Sequence, residues 1–260
     1  ILVEKTKALE AYQEAGEDPK ALECIPMLKR SDIKREAAKI INEELTVDDS
    51  LFLYHDVCTN GIGYVDLMFK TDSIAPEQIP YLGLLKSVLG YVDTENYTYG
   101  ELFNEINANT GGINCGVEVF DRADSTEEFQ AMFSVRGKAL YTKMDFLFKM
   151  IGEILNSSKL EDTKRLYEIV ASVKSRAQVN LTGAGHSTAV LRAAAYSSPM
   201  AAFQDEMAGI GYYQFIEKLE KDFEQRKEET VEELCKLMKK ILRPENFMIS
   251  YTGERESLET

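Results

Sequence analysis

Histidine is the side chain most often used to bind catalytic zinc or to activate a nucleophile, and this chain has two, His55 and His186. A catalytic zinc site takes about three protein ligands and a water molecule. His55 lies in a strand pattern next to Asp56, and successive strand residues point to opposite faces of a sheet. His186 lies far along the chain, in TGAGHST. The residues therefore predict no metal site, and two structural histidines are the simpler interpretation.

Phosphate binding and nucleophilic catalysis find little support either. TGAGHST has G-x-G spacing, but Thr188 stands where a dinucleotide-binding loop needs its third glycine, and a helical pattern precedes the loop. We instead expect a helix break, with Ser187 or Thr188 capping the next helix. No G-x-S-x-G sequence occurs, so a nucleophile would depend on one of the two histidines. An enzyme of unknown chemistry that uses His55 or His186 is one alternative.

The composition excludes some classes of partner. The 260 residues carry a formal net charge of −14, which argues against nucleic acid and against anionic membranes, since both are bound by clustered Lys and Arg. No apolar run approaches the ~18 residues of a transmembrane helix, and no signal peptide is recognisable. The chain begins Ile-Leu-Val inside a helical pattern, so we expect a fragment of a longer protein.

The cysteines indicate a reducing compartment. Cys24, Cys58, Cys115 and Cys235 are widely spaced and form no C-x-x-C pair, which disfavours a zinc knuckle or a thioredoxin-like site. Reduced thiols in a cytoplasmic setting, either a bacterial-type cytosol or an organelle matrix, fit this pattern.

The periodicity of apolar residues predicts an α+β fold. A helix in residues 1–15 precedes an irregular connector at 17–34, and strands are predicted at 50–57, 63–71, 113–120, 129–136 and 246–251. Helices are predicted at 76–91 and 98–109, then in amphipathic segments after Gly137, the last at about 228–242. Asn60-Gly61 is a hairpin signal between the first two strands. We expect a two-layer domain, mostly antiparallel, with helices packed on one face of the sheet.

Two long segments resemble a known family. ALECIPMLKRSDI and GAGHSTAVLRAAAYSSPMAAFQDEMAGIGYYQFIEKLEKDFE are similar to regions of the presequence protease and falcilysin-type zinc metallopeptidases, a branch of the insulinase (pitrilysin-like) superfamily. The resemblance covers nearly the whole chain. It implies a pitrilysin-like (LuxS/MPP-like) domain in a protein of four such domains, whose two halves enclose an unfolded peptide. Residues 1–34 would end the helical hairpin that joins the halves, and residues 35–260 would form a single domain.

The resemblance also implies where a zinc helix would lie. The family's first domain has P-H-x-x-E-H at a strand-to-helix junction, where both histidines bind zinc and the glutamate activates water. Here the matching residues are Pro80-Tyr81-Leu82-Gly83-Leu84-Leu85, so Tyr81 and Leu85 stand at the histidines and Leu84 at the glutamate. None of the three can do that chemistry, and no catalytic, cofactor-binding or metal-binding residue is carried over. The family also has an Arg and Tyr pair that acts on the transition state, and the resemblance implies that this pair belongs to the following domain. That role is therefore not assigned to Arg192 and Tyr196.

The resemblance thus implies the third, non-catalytic domain of a zinc metalloendopeptidase. The segment alone is expected to be inactive, to hold no zinc and to help enclose peptide substrates. Its partners would be the other domains of the same polypeptide, while zinc and proteolysis would belong to a missing N-terminal domain. An independent structural or assembly module with an inactive pitrilysin-like fold is the alternative from another class.

Overall fold

The computed structural model describes residues 1–16, 19–37, 39, 41–48, 50–125 and 127–258. They belong to two compact units, Ile1–Ile40 and Ile41–Thr260, and the domain boundary expected after residue 34 stays a prediction. The first unit contains helix α1 (Leu2–Glu14), the short helix α2 (Pro19–Leu22) and a 3-10 turn at Arg30–Asp32. The Asp32 carboxylate accepts a hydrogen bond from the Lys29 backbone N–H at 2.8 Å and so closes this turn.

The second unit is built on one sheet. Its described residues form six strands in the order β1-β2-β6-β3-β5-β4: β1 (Glu43–Val47), β2 (Ser50–Asp56), β3 (Ile62–Lys70), β4 (Ile113–Asp121), β5 (Phe129–Leu140) and β6 (Phe247–Gly253). All neighbours are antiparallel except β2 and β6, which are parallel. This confirms the predicted α+β class with a mostly antiparallel sheet. Strand β1 was not predicted from the sequence.

The predicted hairpin between the first two strands is wrong. Asn60 and Gly61 do adopt the left-handed conformations of a tight turn, with φ values of 54° and 82°. However, β6 lies between β2 and β3: Tyr251 pairs with Tyr54 on one side and with Val65 on the other. The turn therefore crosses the end of a strand that arrives nearly two hundred residues later in the chain.

Glu254, directly after β6, binds this crossing loop. One carboxylate oxygen accepts the backbone N–H groups of Thr59 and Asn60 at 2.9 and 3.0 Å. The other accepts the Thr59 hydroxyl at 2.8 Å and also the Tyr141 hydroxyl. Because four donors converge on one carboxylate, the loop and the end of β6 are fixed together.

Eight helices of the described chain belong to the second unit: α3 (Ile79–Val88), α4 (Tyr99–Asn109), α5 (Met144–Ser157), α6 (Thr163–Gly183), α7 (Gly185–Ala194), α8 (Pro199–Ala208), α9 (Ile210–Lys221) and α10 (Phe223–Ile241). A capping box begins α4. Thr98 accepts the Glu101 N–H at 3.3 Å, and Glu101 accepts the Thr98 N–H at 2.9 Å. No helix of the described residues is both long and apolar enough to cross a membrane.

One face of the sheet forms the core with these helices. Leu67 pairs with Val135 and Phe69 pairs with Phe133, and all four are buried on this face. Burial does not alternate strictly along β5, because Met132 and Ser134 are buried as well. Strand β5 runs on to Leu140, beyond the predicted end at 136, because it stays paired with β3. At Gly137 a Cβ atom would lie 2.7 Å from the Leu147 side chain, so the glycine lets α5 pack close to the strand.

The Glu254 contacts predict an acid-sensitive fold. Desolvation raises the pKa of Glu254, but hydrogen bonds led by those from Thr59 outweigh it and lower the pKa to about 2. A depressed carboxyl pKa gives stability that is present above the unfolded pKa of about 4.3 and is lost as pH falls towards the folded pKa. We expect Glu254→Gln to lower the melting temperature at pH 7 and to flatten its decline between about pH 4.3 and 2.

Thermal unfolding followed by circular dichroism across this pH range checks the prediction. Glu95→Gln, at an exposed carboxyl group, is the control and is expected to melt like the wild type. A Glu254→Gln variant that melts at the wild-type temperature at pH 7 would contradict the role given to the carboxylate.

Candidate functional site

Helix α3 occupies the strand-to-helix junction singled out by the sequence. After β3 the chain makes a 3-10 turn at Pro76–Gln78 and enters the helix, with Pro80 in its first turn, where no backbone N–H is needed. A helix that is apolar all round belongs in a protein interior. Most of α3 is buried: Pro80, Tyr81, Leu82, Gly83, Leu84, Leu85 and Val88.

Leu84 and Leu85 lie in the hydrophobic core. Their exposed fractions are 0% and 1%, and they pack in the same cluster as residues of the sheet and of α5, α6, α9 and α10. A leucine side chain has no atom that can bind a metal or accept a proton. At these two positions the structure places hydrocarbon out of contact with water.

Tyr81 is also buried, but its hydroxyl group reaches polar partners on α10. The Tyr81 hydroxyl oxygen accepts a hydrogen bond from the Arg226 guanidinium at 2.9 Å and lies 3.4 Å from a carboxylate oxygen of Glu229. Its ring meets that of Phe215 edge-on, with centroids 4.8 Å apart. Tyr81, which stands at the first histidine of the motif, thus joins α3 to α9 and α10.

The charged groups around Tyr81 shift the pKa of its hydroxyl in opposite directions. Burial raises the pKa of the Tyr81 hydroxyl, Arg226 opposes this rise, and Glu229 adds to it. The hydrogen bond from Arg226 is the main cause that lowers the pKa of Glu229. An ionised glutamate paired with arginine, next to a protonated tyrosine, is suited to holding helices together and is a poor general base.

The other predicted chemical residues are not brought together. His55 on β2 has ring nitrogens 2.8 Å from the Ile41 carbonyl oxygen and 3.2 Å from the Ser250 hydroxyl. His186 is exposed on α7. Burial raises the pKa of the Cys115 thiol to about 12, which keeps it protonated and unreactive. Within the described residues, no group of three or more His, Cys, Asp or Glu side chains is placed to hold a metal ion.

The helix break in TGAGHST occurs, but the predicted cap is wrong. Helix α6 ends at Gly183 and α7 begins at Gly185, so Ser187 and Thr188 lie within the helix. The Thr188 hydroxyl donates to the Ala184 carbonyl at 3.2 Å, a bond from inside the first turn rather than a cap. No side chain of the described residues caps the first turn of α7.

Arg192, left unassigned by the sequence, is an anchor for a buried carboxylate. Its guanidinium donates to Asp205 at 2.6 Å, and the aspartate is only 1% exposed. The Asp205 oxygens also accept the backbone N–H groups of Ile210 and Gly211 at 3.0 and 3.1 Å. These are the first amides of α9, so Asp205 satisfies the start of that helix from the helix before it.

Two glycines make room for this carboxylate. A Cβ atom at Gly209 would collide with one Asp205 oxygen, and one at Gly211 would lie 2.9 Å from the other oxygen. The spacing of Arg192, Asp205 and the G-I-G sequence in the resembling block therefore describes one structural unit. Sequence reasoning missed this unit, although a G-I-G sequence a few residues after an aspartate was a usable signal.

Comparison with known proteins identifies the family. Residues 1–219 match the family described as Peptidase M-16C associated. The chain belongs to this family. Protein HypA of Clostridium perfringens is 35% identical over 99% of the chain, and presequence protease 1, chloroplastic/mitochondrial, of Arabidopsis thaliana is 27% identical over 99%. The resemblance inferred from the two long segments is confirmed.

The chain spans about a quarter of the curated relatives it matches: 26% of the C. perfringens protein and 24% of the A. thaliana protease. Among solved structures, a conserved protein from Enterococcus faecalis V583 superposes with a TM-score of 0.56 at 14% identity, over 84% of this chain and 50% of that one. This likeness supports the α+β fold. As a member of the peptidase-associated family, the chain corresponds to a non-catalytic part of a peptidase.

The burial of α3 predicts that glutamate is not tolerated at the position of the general base. Leu84→Glu would bury an unpaired carboxylate, and we expect it to reduce the free energy of unfolding by more than about 4 kcal/mol or to prevent folding. Urea unfolding measures the loss. Leu84→Met, which nearly conserves side-chain volume, is the matched control and should cost less than about 1.5 kcal/mol. Equal stability of the two variants would show that water reaches this position in the folded protein.

The Asp205 contacts predict a second sensitive position. Asp205→Ala would leave the amides of Ile210 and Gly211 without their acceptor, at a cost of about 2–4 kcal/mol. Arg192→Ala should cost less, since it leaves the aspartate bound to both amides. Urea unfolding ranks the two variants, and the reverse order would refute the view that the backbone amides are the main partners.

Proposed function

We propose that this chain is a non-catalytic segment of a zinc-dependent metallo-oligopeptidase and helps to enclose peptide substrates in a closed chamber. Proteolysis and zinc would reside in an N-terminal domain of the parent protein. Presequence proteases among the relatives, and the share of their length that the chain spans, support this assignment.

The observation that carries the proposal is the packing of α3. The helix stands where the resemblance implies a zinc helix, and its three degenerate positions, Tyr81, Leu84 and Leu85, are buried and committed to other contacts. A water molecule on catalytic zinc needs an open coordination position. Around Leu84 and Leu85 the space is filled with core side chains. The helix therefore contributes packing and no chemistry in our proposal.

The partners in this proposal are the other domains of the same polypeptide and unfolded peptides. The net charge of −14 disfavours nucleic acid and anionic membranes as partners. Reduced cysteines fit a cytosol or an organelle matrix as the compartment; in the described chain, Cys24, Cys58, Cys115 and Cys235 are all free thiols.

Zinc content and peptide cleavage test the proposal. We expect the purified 260-residue chain to hold no stoichiometric zinc by elemental analysis and to leave an unfolded peptide intact after long incubation. Cleavage should occur when the catalytic portion of the parent protein is present, and a chelator should stop it. Stoichiometric zinc, or chelator-sensitive cleavage by the chain alone, would overturn the proposal.

A further inference from the structure

Strand β4 is an open edge of the sheet. It pairs with β5 from Ile113 to Asp121, and no described residue pairs with its other side. Natural edge strands are commonly protected by lysine, by proline or by being very short. The sequence of β4, INCGVEVFD, contains neither residue and runs for nine positions, whereas the opposite edge strand, β1, has five. The backbone N–H and C=O groups on that side are therefore not bonded to any described strand.

A cavity of about 570 Å³ runs beside this edge. It is lined by residues 112–118, which lead into and form the first part of β4, by the end of α3 and one side of α4, and by one residue each from α5 and α6. Phe103 and Tyr91 line the groove and are 59% and 50% exposed, so apolar rings are already present at its rim. A volume of this size lies within the range of about 300–1,000 Å³ found for ligand sites.

The groove carries positive charge in a strongly acidic protein. Lys86 and Arg176 line it, and neither forms an ion pair or a hydrogen bond within the described residues. Among the lining residues that the structure describes, Glu118 is the one acidic side chain, and Arg136 already binds that carboxylate at 3.1 Å. Lys86 is half-buried, and burial lowers its pKa, while the charge of Glu118 opposes this fall only in part, so a bound anion would relieve the remaining cost.

We propose that the groove beside β4 binds an extended peptide bearing an acidic side chain, which adds to the sheet as a further strand. This inference rests on the proposed function, since it gives the segment its own peptide-binding site. Backbone hydrogen bonds to β4 would supply affinity that is independent of sequence. Lys86 and Arg176 would select a carboxylate, and Phe103 and Tyr91 would cover apolar side chains on the peptide.

Fluorescence anisotropy with labelled peptides tests the proposal. The probes are a strand-forming peptide of about nine residues with two central glutamates, the same peptide with glutamines, and the acidic peptide with alternate backbone nitrogens methylated. We expect the acidic peptide to bind about tenfold more tightly than the glutamine peptide at physiological ionic strength, and the methylated peptide to lose binding. Methylation removes the donors that a strand requires while it leaves the charge unchanged.

Protein variants locate the site. Lys86→Gln and Arg176→Gln should each weaken the acidic peptide by about three- to tenfold and leave the glutamine peptide unchanged. Lys164→Gln, an exposed position on the same helix as Arg176, is the matched control and should bind like the wild type. Unfolding curves of all three variants should coincide with that of the wild type, since the substituted cations have no described ion-pair partner.

Three results would overturn the inference: equal binding of the methylated peptide, acidic-peptide affinity that is unaffected by both groove variants, or a concentration-dependent dimer that excludes the peptide. The dimer would mean that a second copy of this chain occupies β4. None of these results changes zinc content or cleavage, so the proposed function can stand when the groove inference fails. Zinc bound to the chain alone would defeat the function without altering the peptide measurements.

Discussion

Burial of α3 on nearly all sides is the constraint on which the rest of the second unit depends. The helix lies among the sheet and α6, α8, α9 and α10. Gly83 shows how tight this contact is, because a Cβ there would lie 2.9 Å from the Met207 carbonyl oxygen and 2.8 Å from the Tyr212 ring. Close packing at this density leaves few voids and makes added volume or charge costly.

Carboxylates complete the structure where helices and loops meet this core. Asp205 binds two amides at the start of α9, and Glu254 binds two amides of the loop that crosses β6. In both cases a side chain from one element satisfies backbone donors of another, which buried amides require. These two polar residues therefore fix connections between elements, and this explains their arrangement without a catalytic role.

The two kinds of surface around α3 have different chemistry. At its first turn and its core-facing side, Tyr81, Leu84 and Leu85 are enclosed by side chains. At its carboxyl end, Lys86 lines a groove beside the edge strand β4. The same helix is thus enclosed by core side chains at the positions that the family resemblance implies for zinc and its general base, and borders a cavity at its other end.

Sequence periodicity determined the class of fold and most elements, because apolar residues at spacings of two or about 3.6 specify strands and helices locally. The family resemblance, rather than periodicity, located the degenerate helix, because it implies that Tyr81, Leu84 and Leu85 stand at the positions of the two zinc ligands and the general base. Nonlocal features had no such signal. The insertion of β6 between β2 and β3 and the pairing that extends β5 to Leu140 depend on strands far apart in the chain. Likewise, the Asp205 and Glu254 contacts and the cationic groove beside β4 exist only once distant segments meet, so the tertiary structure alone decided them.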